Sequence, residues 1–250
     1  MTLQAQWERN SVANSRLLTY NSVFAVNRQG TDVGYFITFE GIEGCGKTTQ
    51  IRMLAEHLKA AGRRVTLTRE PGGCAIADKI RAILLDADNR AMLPHTELLL
   101  YAAARAQHVG EVVKPALDEG GVVLCDRFTD ATIAYQSSGR GIGRETIDTL
   151  NSLACGGVRP DLTVLIDCDP VLGLERARRR IDSSSGPREE RFELEALAFH
   201  QRVREGYLAL AAGEPHRFLT VNGSDTVERI AASIARQVAS RLEEQRHAFR

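Results

Sequence analysis

Between Gly41 and Thr48 the chain reads Gly-Ile-Glu-Gly-Cys-Gly-Lys-Thr, which meets the pattern GxxxxGK[ST] at every defined position. Glycines at this spacing let the backbone curl so that successive N–H groups point at polyphosphate oxygens, aided by the positive end of a following helix. Lys47 then reaches the β- and γ-phosphates and the Thr48 hydroxyl ligates Mg²⁺. Gly41, Ile42, Glu43, Gly44, Cys45, Gly46 and Thr49 complete the predicted cradle.

Further charged groups follow other apolar runs. Asp126-Arg127-Phe128 comes after Gly121–Cys125, Arg69-Glu70-Pro71-Gly72-Gly73 after Val65–Thr68, and Asp167 after Leu162–Ile166. Asp126 is placed to meet Mg²⁺, through water, as a carboxylate at a strand's end. Arg127 offers a planar, permanently charged donor suited to a dianionic monophosphate. A second arginine cluster, Arg176, Arg178, Arg179 and Arg180, precedes the serine-rich stretch Ile181–Arg188, which reads as a mobile flap, with Arg191 beyond it.

These residues need a scaffold, and the pattern predicts one. Tyr35–Phe39 reads as a first strand, and Ile51, Leu54, Ala55 and Leu58 follow it at helical spacing. The runs at 65–68, 121–125, 162–166 and 217–221 supply four more strands, separated by helical patterns. Strands alternating with helices imply a five-stranded parallel sheet with helices on both faces, an α/β fold whose ligands sit at the carboxyl ends of the strands.

The 250 residues carry 32 basic and 32 acidic side chains, so bulk electrostatic binding of nucleic acid or of an anionic membrane is not expected. Phosphate must be met by local arginine clusters instead. Five scattered cysteines, none in a CxxC pair, and six histidines without metal-ligand spacing indicate neither a disulfide framework nor a zinc site, and point to a reducing, cytoplasmic setting. No stretch approaches the roughly 20 apolar residues of a membrane span. Residues 1–34 lack a signal peptide's apolar core and are expected to be a disordered extension, with translation starting near Val33 as the simplest origin. Residues 35–250 are expected to form one domain with a lid around 176–192.

The ordered set FEGIEGCGKTT (Phe39–Thr49), TREPGG (Thr68–Gly73), LLLYAAARAQ (Leu98–Gln107), DRF (Asp126–Phe128), AYQ (Ala134–Gln136), RPDLTVLID (Arg159–Asp167) and RARRR…ERFE (Arg176–Glu193) resembles the bacterial thymidylate kinase family of P-loop nucleoside monophosphate kinases. The resemblance implies transfer of the ATP γ-phosphoryl group to dTMP with Mg²⁺, a P-loop NTPase fold with a small lid, and a homodimer. It also implies roles. Tyr101, where phenylalanine is usual, would stack on thymine. Arg105, one helical turn on, would donate to the base, and Gln136 would complete its recognition. Tyr135 would sense the missing 2′-hydroxyl, while Arg69, Arg81 and Arg127 would hold the acceptor phosphate and Glu43 would face the sugar and phosphate. Because Ile42 to Cys45 include no basic residue, the catalytic arginine would come from the lid: Arg176, Arg178 or Arg180, with Arg191 a further candidate.

Departures from the family pattern fall at Cys45, Cys74, Ala131 and Ser138, and none removes a charged group. Two other readings remain open at this level. One is a kinase for another nucleoside monophosphate; the other is a P-loop switch or catalytically inert relative. Against a guanine-nucleotide switch stands the absence of an NKxD pattern.

Overall fold

The computed structural model describes residues 33–182 and 191–248, all within one compact unit spanning Asp32–Arg250. The expected N-terminal extension therefore lies, but for its last two residues, outside the described residues, as does the flap stretch 183–188.

Five parallel strands form a single sheet: β1 (Tyr35–Glu40), β2 (Val65–Arg69), β3 (Val122–Asp126), β4 (Leu162–Asp167) and β5 (Phe218–Asn222), in the order β2-β3-β1-β4-β5. All six residues of β1 are buried, as expected for a central strand covered on both faces. Its side chains alternate between layers. Tyr35, Ile37 and Phe39 join the main core cluster, whereas Phe36 packs with Val123, Cys125 and Phe128 on the opposite face. Because β1 lies between β3 and β4, the sequence-adjacent strands diverge to either side of it, and a crevice opens above its carboxyl end.

Helix α1 (Lys47–Ala60) starts directly from that end, with Gly46 in the left-handed region at φ 102. Ile51, Leu54, Ala55 and Leu58 form its buried stripe, as their spacing predicts. Helices α2 (Ala75–Leu85) and α3 (Pro94–His108) pack together. A π-helical turn (Val109–Val113) joins α3 to the short α4 (Lys114–Asp118), which leads into β3.

After β3, a one-turn helix α5 (Thr129–Thr132) passes into a second π-helical segment (Ile133–Gly139) and then α6 (Arg144–Cys155), which closes on Gly156 at φ 54. Helix α7 (Pro170–Asp182) leads into the lid, and α8 (Leu197–Gly213) returns from it across the π segment. That approach needs small residues: a Cβ on Gly139 would fall 2.6 Å from the Phe199 ring. Helix α9 (Val227–Ala248) lays Ile230, Ile234, Val238 and Leu242 on the core at four-residue intervals. Among the described residues no helix is long and apolar enough to cross a membrane.

Candidate active site

The glycine loop closes on its own lysine. Lys47 is buried, and its ammonium donates to the carbonyls of Gly41 at 3.0 Å and Ile42 at 2.9 Å, so its charge sits inside the curl of the loop. The loop also touches α7 backbone to backbone. A Cβ on Gly44 would overlap the Gly173 carbonyl, and one on Gly173 would fall 2.6 Å from the Glu43 carbonyl. The start of the lid helix is thereby packed directly on the loop.

Thr48, exposed at the first turn of α1, donates its hydroxyl to Asp126 Oδ2 at 3.1 Å. Hydroxyl and carboxylate are the hard oxygen donors that Mg²⁺ prefers, and they sit together at the strand edge. Among the described residues no group of three or more His, Cys, Asp or Glu could form a fuller protein cage. Such an open pair suits an ion that keeps several waters and takes substrate phosphates as its other ligands.

Arg127 is the one described non-glycine residue with positive φ, at 69. Strained backbone of this kind persists only where its surroundings over-determine it. Here its N–H bonds Phe39 O at 3.0 Å, and its Nη1 donates to Gly41 O at 2.9 Å and to the Tyr207 hydroxyl at 3.1 Å. Nη2 donates to Glu43 Oε1 at 3.0 Å, and the guanidinium lies 4.8 Å from the Tyr135 ring centroid. Nε and one Nη2 hydrogen have no acceptor among the described residues, leaving two N–H groups for a ligand. Burial opposes its charge, but Tyr135, Tyr207, Glu43 and Asp126 outweigh that and hold its pKa well above the ordinary value.

Glu43 gathers the same neighbours. Besides Arg127 it accepts from the Tyr135 hydroxyl at 2.5 Å, and its other oxygen lies 3.2 Å from Nδ1 of the fully buried His200, without the alignment of a hydrogen bond. Burial works to raise its pKa; Arg127, His200, Lys47 and Tyr135 overcome this and hold the carboxyl far below the usual range. Glu43 thus links the glycine loop, the β3 arginine and the π segment.

A second cluster occupies the space between α3 and the π segment. Tyr101 is partly buried on α3, and its phenol is pushed well above its ordinary pKa by burial and then by Glu97, with Arg191, Arg127 and Arg81 pulling the other way. Arg105, one turn on, is 2% exposed. Its Nε donates to Glu70 at 2.7 Å, Nη1 to Asn151 at 2.7 Å, and Nη2 to Phe128 O and Thr132, each at 3.0 Å. One N–H, on Nη1, is left without a protein acceptor among the described residues. His108, three residues further, shares Glu70 at 2.9 Å, so the loop after β2 is pinned from α3 at two points. Gln136 donates to the buried Glu97 at 2.8 Å. Arg81 donates to Pro71 O at 3.0 Å, and the exposed Arg69 lies 3.5 Å from Asp78, so both border the loop after β2.

The lid arginines separate. Arg176 donates to Gly223 O at 3.1 Å in the turn after β5, and Arg178 is exposed. The Arg180 side chain lies outside the described residues. Arg191 instead is buried, donating to Leu84 O at 2.5 Å and to Glu97 at 2.6 Å. Glu97, Arg140, His200 and Tyr207 belong to these clusters and were not singled out from sequence. A signal existed for the last two, which are seven residues apart on one face of α8.

A profile of the family described as Thymidylate kinase matches residues 39–234. A protein of Pelobacter propionicus named Thymidylate kinase is 69% identical over 218 residues, covering 87% of this chain and 100% of that protein. One of Geobacter sulfurreducens with the same name is 64% identical over 210 residues, covering 84% and 99%. The crystal structure of thymidylate kinase from Ehrlichia chaffeensis superposes with a TM-score of 0.66 at 35% identity, covering 82% of this chain and 99% of that one. Matches that run from the glycine loop through the lid into α9, over the nearly complete length of each relative, leave one conclusion: the chain belongs to the thymidylate kinase family.

Proposed function

We propose that the protein transfers the γ-phosphoryl group of ATP to dTMP, giving dTDP and ADP by direct in-line displacement. The observation that carries this reading is the joint at Glu43, where the glycine loop for one phosphate donor meets Arg127 and Tyr135, groups suited to a second phosphate compound. A nucleotide-driven switch has no need of the second half.

In this reading the loop N–H groups and Lys47 hold the ATP β- and γ-phosphates. Lys47 exchanges its carbonyl acceptors for phosphate oxygens. Thr48 and Asp126 would hold Mg²⁺, which when bound would supply positive charge against the phosphates. Arg127 presents its two uncommitted N–H groups to the acceptor phosphate, with Arg81 and Arg69 alongside. Glu43 and Tyr135 face the sugar. Tyr101 stacks on thymine, while Arg105, with one N–H to offer, and Gln136 address its polar edge.

Arg176, Arg178 or Arg180 closes over the transferring group as an arginine finger in cis; the transition state needs charge stabilisation rather than a covalent intermediate. Arg191, committed to Glu97 and Leu84, anchors the lid's far end.

Residues 35–250 act as one domain with its lid around 176–192. Exposed Ile76, Ile83, Leu99 and Leu153 on the neighbouring helices α2, α3 and α6 support a homodimer through that layer. The five free cysteines suit a reducing cytoplasm.

The test is a coupled assay of ADP release with Mg·ATP, presenting dTMP, dUMP, dCMP, dGMP and AMP separately. Fast turnover confined largely to dTMP is expected. A preference for another monophosphate would overturn Tyr101, Arg105 and Gln136 as base readers, and the absence of acceptor-dependent turnover would overturn the kinase reading.

A further inference from the structure

Helix α8 meets the phosphate site along one face. His200 lies against Glu43 at 3.2 Å, Arg204 makes a two-point ion pair with Asp167 at 2.6 and 2.9 Å, and Tyr207 contacts Arg127. The three are four and three residues apart, so they project from successive turns toward the carboxyl ends of β1, β3 and β4. Of these contacts, that of Tyr207 has a direction built into it.

Tyr207 is 1% exposed. Its hydroxyl accepts from Arg127 Nη1 at 3.1 Å and donates to Glu40 Oε2 at 2.7 Å, while Glu40 Oε1 accepts the backbone N–H of Phe128, the residue after Arg127, at 2.7 Å. Glu40 itself is fully buried as the last residue of β1. The result is a closed path: Arg127 side chain, Tyr207, Glu40, Phe128 N–H, and back to Arg127 through its peptide. With Glu40 ionised, both of its oxygens accept and the path runs in a single sense. It holds the strained arginine from both ends, side chain and backbone, and fixes which of its N–H groups stay uncommitted.

We propose that Tyr207 and Glu40 are positioning residues for Arg127, acting together to aim its two uncommitted N–H groups at the acceptor phosphate. Neither touches substrate. The proposal rests on the reading of Arg127 as an acceptor-phosphate ligand.

The two residues act in series, so losing either releases the same guanidinium. Tyr207→Phe removes the hydroxyl. Glu40→Gln offers one acceptor oxygen to two donors. For each variant and the double variant, kcat and KM are measured for dTMP at saturating ATP and for ATP at saturating dTMP, together with the thermal midpoint.

The expected result is a loss of about tenfold in kcat/KM for dTMP in each single variant, the scale of one charge-assisted hydrogen bond. The KM for ATP should stay within twofold of wild type, and the double variant should be no worse than the poorer single one. Residues that merely support the fold would instead weaken both substrates together. A folded Tyr207→Phe protein with wild-type dTMP kinetics overturns the proposal, as do additive losses or an equal rise in the KM for ATP. Should Tyr207→Phe not fold, Glu40→Gln alone decides by the same selectivity for dTMP. The functional reading fails separately, and earlier, if the wild type shows no dTMP-dependent turnover.

Discussion

Arg191, the first described residue beyond the flap, donates to Glu97 on α3 at 2.6 Å, one turn before Tyr101 on the same helix. The far end of the lid is therefore tied to the helix that carries the proposed base platform. Glu97 also accepts from Gln136 and Arg140. Burial works to raise its pKa, yet hydrogen bonds from Arg140 and Gln136 and the charges of Arg140 and Arg191 keep it ionised and lowered.

Removing one partner of so enclosed a pair strands the other. Arg191→Met should destabilise the protein by about 3 kcal/mol, the lower end for breaking a buried ion pair. Urea unfolding measures this through the shift in midpoint at constant slope. A change below about 1 kcal/mol would show that Arg140 alone satisfies Glu97.

For the arginine finger, single alanine substitutions at 176, 178 and 180 should single out one position. Turnover there should fall roughly 10³-fold with dTMP affinity little changed, because the group acts only on the transferring phosphoryl. Rapid-quench turnover with dTMP binding measured separately distinguishes the two effects. Near-normal turnover in all three variants would remove the finger from this helix.

The pH dependence of stability should carry the mark of Glu40. Burial, and then Asp130, push its pKa up to about 8 from an ordinary 4.5. An acid raised on folding binds its proton more tightly in the native state. Its contribution is thus fully present below pH 4.5 and is lost as the pH rises toward 8, with a slope of up to about 1.4 kcal/mol per pH unit. Glu43, shifted the other way, contributes stability above its ordinary pKa that is lost on acidification. Chemical unfolding from pH 5 to 8 should show a falling stability in the wild type that Glu40→Gln flattens; parallel curves would refute the assignment.

At the seam between loop and lid helix, Gly173→Ala places a methyl group 2.6 Å from the Glu43 carbonyl. The overpacking should cost about 1–3 kcal/mol. It should also weaken ATP more than dTMP, because the displaced element is the phosphate loop. Calorimetric titration of each nucleotide checks the order, and equal weakening would place the strain elsewhere.

The glycine loop, the five strands and the charged residues at the ends of β2, β3 and β4 were legible because they obey local rules: a fixed spacing, an apolar run and its end. All five strands nonetheless extend one polar residue further than their apolar runs. Glu40, Asp126 and Asp167 all belong to the ladder, opposite Leu165, Phe39 and Asn222, since parallel pairing is made by backbone and tolerates any side chain at the edge. The third and fifth strands each start one residue late; in the fifth, the Arg217 N–H is taken by Glu214 O in the preceding turn at 2.9 Å.

What could not be read was assembled across long separations. Arg105 finds its acceptors 23 to 46 residues away, so the sequence announces a helix-face arginine but not how few N–H groups it has left to offer. Tyr135 and Gln136 stand on a π-helical segment, whose wider turn has no sequence period of its own. The α8 face was hidden for a simpler reason: a helix reveals its stripe in sequence, but not which loops that stripe will meet.

The contact of Gly44 with Gly173 has a further consequence. Neither glycine has a side chain to set between the two backbones, so a substitution at Gly44 or Gly173 cannot tune the spacing of loop and lid helix by degrees; it forces the seam open. Variation among descendants of this chain is left to act on what the lid helix carries, the number and placement of its arginines, while the point from which they are presented stays fixed.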